Sequence, residues 1–458
     1  MSEPSSVPLA LNVRQDEMQR AEALRRRVHG GLCGIVPVLD HLTRSRSDPR
    51  MLIASADLTG VHLLQDLPAP KAGSFHLGGF GTEPFEARIR VLAESLERYA
   101  CNVAPLEGRF PVRYASHREL TAAGERVPTE EQLTLFTPDQ HRAKGFLFDR
   151  FDPDAEMGWV RLPSLLGRFS GLIPAQWYFL GYVPRDDEPW LAPAVTTGAA
   201  AHTDPDAALA AALSEAVQID SAIGHWHGTR PSVRIRGDRR TRIVDDLVRE
   251  VFPRGDLPPE FHLLTNPDLP GFTVACLLRR PPGLVPQIAV GLGSGTRLAD
   301  TMYRALLEAA GVRWLAGWLA VEKRIDHGPA GPGPAEEAPE DFYDLEANVG
   351  SYAAAGGAKE VEDRFAACEE AAASDLPADD TRPRREQIAA LVDAYRAGGK
   401  DLYFADLTTA DVRALGFTVV RVFSTGTLVL PLPAAPPAAH PRFAAYGGFH
   451  GAAPHPYP

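Results

Sequence analysis

Glu83, Glu86, Arg90, Glu94 and Glu97 follow one another at spacings of three or four residues, and Arg98 stands four beyond Glu94. At about 3.6 residues per turn such spacings place the side chains on one helical face. One reading is a solvated stripe with intrahelical ion pairs, each worth about 0.2 to 0.5 kcal/mol. The other is a carboxylate set for Mg²⁺, a hard cation that binds oxygen and commonly combines a few carboxylates with nucleotide phosphates. Recurrence favours the second. Pro84-x-x-Ala87 precedes Glu94 just as Pro205-x-x-Ala208 precedes Glu215, and Leu306 precedes Glu308 as Leu92 and Leu213 precede the other two glutamates. Such a pattern comes either from a structural repeat or from chance in Ala-rich helices.

Other chemistry-bearing signals are weaker. The sequence has no GxxxxGK[ST], HExxH or GxSxG, which removes the usual P-loop, zinc-protease and serine-hydrolase readings. Gly291-Leu-Gly-Ser-Gly295 lacks the full dinucleotide fingerprint and reads as a tight strand-to-helix turn more readily than as a phosphate cradle. His225-Trp-His227 has no third ligand nearby and reads as packing. Cys33, Cys101, Cys276 and Cys368 lie far apart without CxxC spacing, which argues against a disulfide scaffold or zinc ribbon and suits a reducing compartment.

The chain that must position these groups has 458 residues, room for two to four domains at about 100 to 200 residues each. With 45% hydrophobic and 23% charged residues it has ordinary globular usage. Acidic residues outnumber basic ones by 59 to 47, a formal charge of −12, which makes nucleic acid a poor partner. Lysine occurs only at 71, 144, 323, 359 and 400, so an anionic ligand must be met by particular arginines or by a metal. The N-terminus lacks a basic segment followed by an apolar core, and no stretch approaches the roughly 18 apolar residues of a membrane span, so the expectation is a cytoplasmic, unanchored protein.

Periodicity predicts helices over 14–29, 83–100, 204–223 and 297–324, the third capped by Thr203 or Asp204 with Pro205 in its first turn. Short apolar runs lie near 33–39 and 51–56, and Gly78, Gly79 and Gly81 break the chain before the second helix. Strand-like pieces are 159–162, 175–180, 232–236, 260–264, 272–279 and 286–292, and two β-rich runs occupy 417–423 and 427–432. Residues 328–340 read as a low-complexity surface segment, and the chain ends Pro454-His455-Pro456-Tyr457-Pro458. The expected class is α+β, with internally repeated helices packed on β-sheets and a proline-rich C-terminal tail. The expected organisation is an N-terminal region (1–77), a catalytic domain (78–430) and the tail (431–458).

Taken together, GGFGTEPFEARIRVLAESLERYA, VTTGAAAHTDPDAALAAALSEAVQIDSA, YRALLEAAGVRW and the terminal PHPYP resemble the YcaO superfamily. Within it the chain resembles the stand-alone, streptolysin-type maturases that form thiazoline and oxazoline rings in ribosomal peptides, and the resemblance runs from about Gly78 to Pro458. It implies ATP-dependent cyclodehydration. A Cys, Ser or Thr side chain of a precursor peptide adds to the preceding amide carbonyl, ATP phosphorylates the resulting oxygen, and phosphate leaves to give the azoline. Phosphorylation turns a poor leaving group into a good one, with Mg²⁺ stabilising the charge.

The same resemblance implies site residues. Glu94, Glu97 and Arg98 match the first family motif and Glu215 the leading Glu of the second. Arg90, Gln218, Glu308 and Arg313 join them as an ATP-binding set, with Glu94, Glu97, Glu215 and Gln218 as the Mg²⁺ ligands. Departures are Arg90 where many members have Ser, Gln218 where many have Glu, Ala200 and Thr203 where Ser and Asn are common, and Gly311 where Gln is common. Gln218 keeps an amide oxygen for a metal but removes a negative charge. Alternating prolines favour an extended rod of about 3.1 Å per residue, and the resemblance implies a general-base role for the terminal carboxylate of Pro458; the alternative is a disordered tail. The implied partners are the precursor peptide, a leader-binding protein of the E1-like, ThiF-like kind and a flavin dehydrogenase. Two other readings stay open: a catalytically weak scaffold that docks the other maturation enzymes, and a related enzyme making thioamides or amidines.

Overall fold

The computed structural model describes residues 15–32, 34–42, 48–58, 60–65, 76–252, 257–281, 283–327, 345–353 and 357–458. Residues 328–340, read above as a surface segment, lie outside them. Among the described residues no helix is long and apolar enough to cross a membrane, and Cys101, Cys276 and Cys368 are free thiols.

Among the described residues four sheets carry the fold. Strands β1 (Val38–His41), β2 (Leu52–Asp57) and β3 (His76–Gly81) form an antiparallel sheet, so the expected boundary at residue 78 falls inside a strand. Strands β4 (Val112–Ser116), β5 (Glu156–Pro163) and β6 (Ser170–Pro174) form a meander. Strand β7 (Ala199–His202) pairs with β14 (Thr418–Phe423), which pairs in turn with β13 (Tyr403–Asp406). The largest sheet runs β11 (Ile288–Gly295), β10 (Phe272–Arg279), β9 (Glu260–Leu263), β8 (Ser232–Arg236) and β12 (Cys368–Ala372), antiparallel except for β12 beside β8.

A strand–helix unit occurs three times. After β3, β7 and β11 the chain makes a short turn and enters the helices Pro84–Val103, Pro205–His227 and Leu298–His327. Glu94, Glu215 and Glu308 are each the eleventh residue of their helix. Leu92, Leu213 and Leu306, two residues earlier, are all fully buried. The registers read from the sequence therefore describe a structural repeat.

In two units glycine sets how closely helix and strand approach. A Cβ on Gly79 would run into the backbone at Ala87 and Val91, and one on Gly291 or Gly293 into the backbone of Ala309 or Thr301. Any larger residue would push the helix off its sheet. Gly291–Gly295 is thus a strand segment and not the turn expected, and Gly78, Gly79 and Gly81 likewise belong to β3.

Two further expectations are corrected. Ala175–Tyr178 is a helical turn. Residues 175–179 are all buried in succession, which a strand with alternating faces does not achieve against a single core. Residues 427–432 form no strand: Leu428 N donates to Asp220 (2.9 Å), Leu430 N donates to Thr197 (3.4 Å), and Pro431 has no donor. At the third helix predicted, Asp204 rather than Thr203 supplies the cap, accepting from Asp206 N at 3.0 Å, and the helix runs on to His227.

Candidate active site

The repeated glutamates point into one region. Glu308 accepts a hydrogen bond from Leu292 N at 2.8 Å, and the Gly78 backbone amide does the same for Glu94. Gly78 and Leu292 each lie three residues before the end of their strand, so the two units hold their carboxylates alike. Glu97 takes the Ala201 amide of β7, which ties the first unit to the second.

Charge is poorly balanced here. Burial raises the Glu94 carboxyl above its ordinary value against the lowering pull of Arg98. Glu97 is pushed up to about 7 by burial and by the charge of Glu94. Glu308 is also pushed to about 7, again by burial and Glu94. Burial, Glu97 and Glu308 lift Glu215 well above the carboxylate range. The opposing cations are Arg98, whose guanidinium is 3.9 Å from Glu94, and Arg421 on β14. Arg421 is fixed by donating to the carbonyls of Tyr178 and Val195. Carboxylates gathered in this way resist ionising together, and a divalent cation among them would relieve that.

Beside this cluster opens a cleft of about 160 Å³. Its polar wall comprises Arg90, Gln218, Ser294, Arg304 and Glu308, and its apolar wall Phe80, Leu292 and Leu307. Burial and the like charge of Arg90 lower the Arg304 guanidinium, the signature of two cations facing one space. Arg304 is oriented by donating to Ser294 O at 3.1 Å, and Arg90 by its 2.9 Å pair with Glu86. Glu86 also accepts from Tyr303 OH (2.8 Å) and Thr82 N (3.1 Å), which fastens the first helix to the third.

The residues present suit Mg²⁺ and a nucleotide. Among the described residues no three His, Cys, Asp or Glu side chains form a preassembled metal cage. Mg²⁺ does not need one, since it keeps several waters and takes a few carboxylates together with phosphate oxygens. Glu94 remains 36% exposed despite its enclosure, so a ligand can reach it, and the buried Arg98 Nε has no hydrogen-bond partner among the described residues.

Of the site residues read from the sequence, Arg90, Gln218 and Glu308 border the cleft, while Glu94, Glu97, Arg98 and Glu215 form the adjoining charge cluster. Arg313 stands elsewhere. It is 5% exposed, pairs with Asp48 at 3.5 Å and borders a separate small cavity with Met51 and Trp314. The tail is ordered against the core. Trp226 Nε1 donates to Ala453 O (3.0 Å), Tyr352 OH to Pro454 O, and His455 N to Asn348 (3.2 Å). Tyr457 is fully buried with its ring centroid 6.4 Å from that of Trp226, and Pro458 is exposed. Trp226 lies about three helical turns beyond Glu215, so these hydrogen bonds hold the tail near the far end of the Glu215 helix.

Sequence reasoning missed Phe80, Arg304 and Arg421. Arg304 stands one turn before Glu308, and an arginine inside the apolar run FTVVRVF was a visible anomaly. Also missed was a buried anchor: Asp220 accepts from Arg442 (2.6 Å), Tyr446 OH (2.9 Å) and Asn266 (3.0 Å), binding the C-terminal segment to the Glu215 helix.

Comparison with known structures bears on the same elements. The fold is similar to a heterocyclase in complex with substrate and cofactor (TM-score 0.68, 17% identity, 95% of this chain). This chain spans 56% of that protein's length. It is similar to YcaO from Methanopyrus kandleri bound with AMPPCP and Mg²⁺ (TM-score 0.56, 18% identity, 90% of each chain). It is also similar to a chain of the E. coli microcin synthetase McbBCD complex (TM-score 0.58, 14% identity, 92% of this chain and 98% of that one). A search of curated proteins finds no match. The family model described as YcaO cyclodehydratase, ATP- and Mg²⁺-binding, matches residues 78–428, a span that begins in β3 and takes in all three glutamate-bearing helices. With the repeated units, their carboxylates and most of the sequence inside that match, the chain belongs to the YcaO cyclodehydratase family.

Proposed function

We propose that this protein is an ATP- and Mg²⁺-dependent cyclodehydratase that converts Cys, Ser or Thr residues of a ribosomal precursor peptide to thiazolines or oxazolines. The observation that carries the reading is the cluster of mutually coupled carboxyls Glu94, Glu97, Glu215 and Glu308 beside a cleft lined by Arg90 and Arg304. Glu94, Glu97 and Glu215, with the amide oxygen of Gln218, would hold Mg²⁺, and Arg90 and Arg304 would receive phosphate oxygens. Bound Mg-ATP supplies the phosphoryl group that makes the amide oxygen of the cyclised peptide able to depart as phosphate.

The neighbouring structures include a heterocyclase with substrate and cofactor and a microcin synthetase complex with pro-MccB17 bound, which supports a peptide substrate and partner proteins. The partners we propose are a leader-binding E1-like protein and a flavin dehydrogenase. A second reading, a weakly active docking scaffold, is favoured by one observation: the cleft presents Gln218 where a further carboxylate would strengthen metal binding. Phosphate release with the precursor and leader-binding protein separates the two. Turnover coupled to ring formation supports the enzyme, and a complex that assembles without turnover supports the scaffold.

A further inference from the structure

Among the described residues Phe80 is the one aromatic side chain on the walls of the cleft, and two glycines make room for it. A Cβ on Gly311 would run into the Cδ1, Cε1 and Cζ atoms of the ring, and a Cβ on Gly78 would lie 2.9 Å from Cζ. A side chain at either position would displace the ring. Leu292 and Leu307 add apolar surface to the same cleft, which the guanidiniums of Arg90 and Arg304 also line. The cleft therefore combines aromatic and aliphatic surface for a flat apolar group with guanidiniums for anionic oxygens. A nucleotide carries both at the reach of one molecule.

Resting on the nucleotide reading above, we propose that Phe80 is the stacking wall for the nucleotide base, with Gly311 as the spacer that lets the ring reach the cleft. Base–aromatic stacking acts on the π-face of the base and contributes nothing to a phosphate chain. Loss of the ring should thus separate base binding from phosphate binding. It also makes Gly311 a specificity determinant, although it carries no functional group of its own.

The test is calorimetric titration of the full chain with Mg-ATP and, in parallel, with Mg-tripolyphosphate. Phe80→Leu keeps an apolar side chain in the wall and should weaken Mg-ATP at least about fivefold, at the low end for base–aromatic stacking, while changing tripolyphosphate affinity less than about twofold. Phe80→Trp should retain Mg-ATP binding, and Gly311→Ala should mimic Phe80→Leu by moving the ring. Equal losses for both ligands in Phe80→Leu, or none for either, would overturn the stacking role while the nucleotide reading stands. If the unaltered protein bound tripolyphosphate but not Mg-ATP, or neither, both would fall together. Melting curves of each variant show whether the fold is kept.

Discussion

Glu94 and Glu308 occupy the same place in two copies of one strand–helix unit, each accepting a backbone amide three residues from the end of the preceding strand. The amide fixes the direction of the carboxylate without neutralising it. Each unit thereby delivers an oriented charge to a common centre, and Glu215 supplies the third from the same helical register. A fold that gathers three carboxyls in matched positions makes their joint ionisation costly, and a divalent cation offsets that cost.

That cost predicts a trade between stability and binding. Glu215→Gln removes a carboxylate that burial and its neighbours already hold well above its ordinary value, so the metal-free protein should melt no lower than the unaltered one. Its affinity for Mg-ATP should nevertheless fall by at least about tenfold, the loss of one charge-assisted metal contact. Differential scanning calorimetry with and without Mg-ATP checks both halves. A variant that unfolds earlier yet binds normally would contradict the assignment.

The same groups predict a proton coupling. Glu97 and Glu308 titrate near 7 in the fold and near 4.5 when unfolded, so between those values the folded state holds more protons. Stability of the metal-free protein should decline as pH rises from about 4.5 to about 7, since the raised carboxyls favour the fold only while protonated. Binding of Mg-ATP at pH 6.5 should release protons, visible as a binding heat that changes with the ionisation enthalpy of the buffer. A buffer-independent heat would show that the carboxylates do not meet the ligand.

Asp220 and Arg442 form the buried anchor of the C-terminal segment, 0% and 4% exposed. Removing one partner leaves an uncompensated buried charge, so Arg442→Met should destabilise by about 3 to 5 kcal/mol. The double replacement Asp220→Leu with Arg442→Met should recover much of that. Urea denaturation of the unaltered protein, the Asp220→Leu and Arg442→Met single variants and the double variant gives the coupling, and equal stabilities for Arg442→Met and the double variant would show that the pair is not the anchor.

Pro458 is exposed while Tyr457 before it is fully buried, so residues added after Pro458 should not disturb the packed tail. Extension by two glycines should leave melting temperature and Mg-ATP affinity unchanged. Ring formation should fall by at least about tenfold if the terminal carboxylate acts as a base. Normal ring formation by the extended protein would assign the tail to anchoring alone.

Much of this architecture was legible before any coordinates, because its signals were local. The glutamate registers follow helical periodicity, and the strands 232–236 and 272–279 announce themselves by composition. What was hidden depended on partners distant in sequence. Gly291 and Gly293 look like a turn until the helix backbone that presses on them is seen. Residues 427–432 look like a strand until the Leu428 and Leu430 amides are found donating to Asp220 and Thr197. Arg304 was overlooked because its worth lies in facing Arg90, more than two hundred residues away. Arg313, expected in the ATP-binding set, pairs with Asp48 and borders a different cavity.

The most direct test of the central claim is to measure phosphate released and water lost from the precursor peptide in one reaction, with the leader-binding partner present, for the unaltered protein and for Glu94→Gln. The account predicts one phosphate for each ring formed, and both signals reduced at least about a hundredfold in the variant while its melting curve stays unchanged. Ring formation at the normal rate by Glu94→Gln, or rings formed without phosphate release, would contradict it.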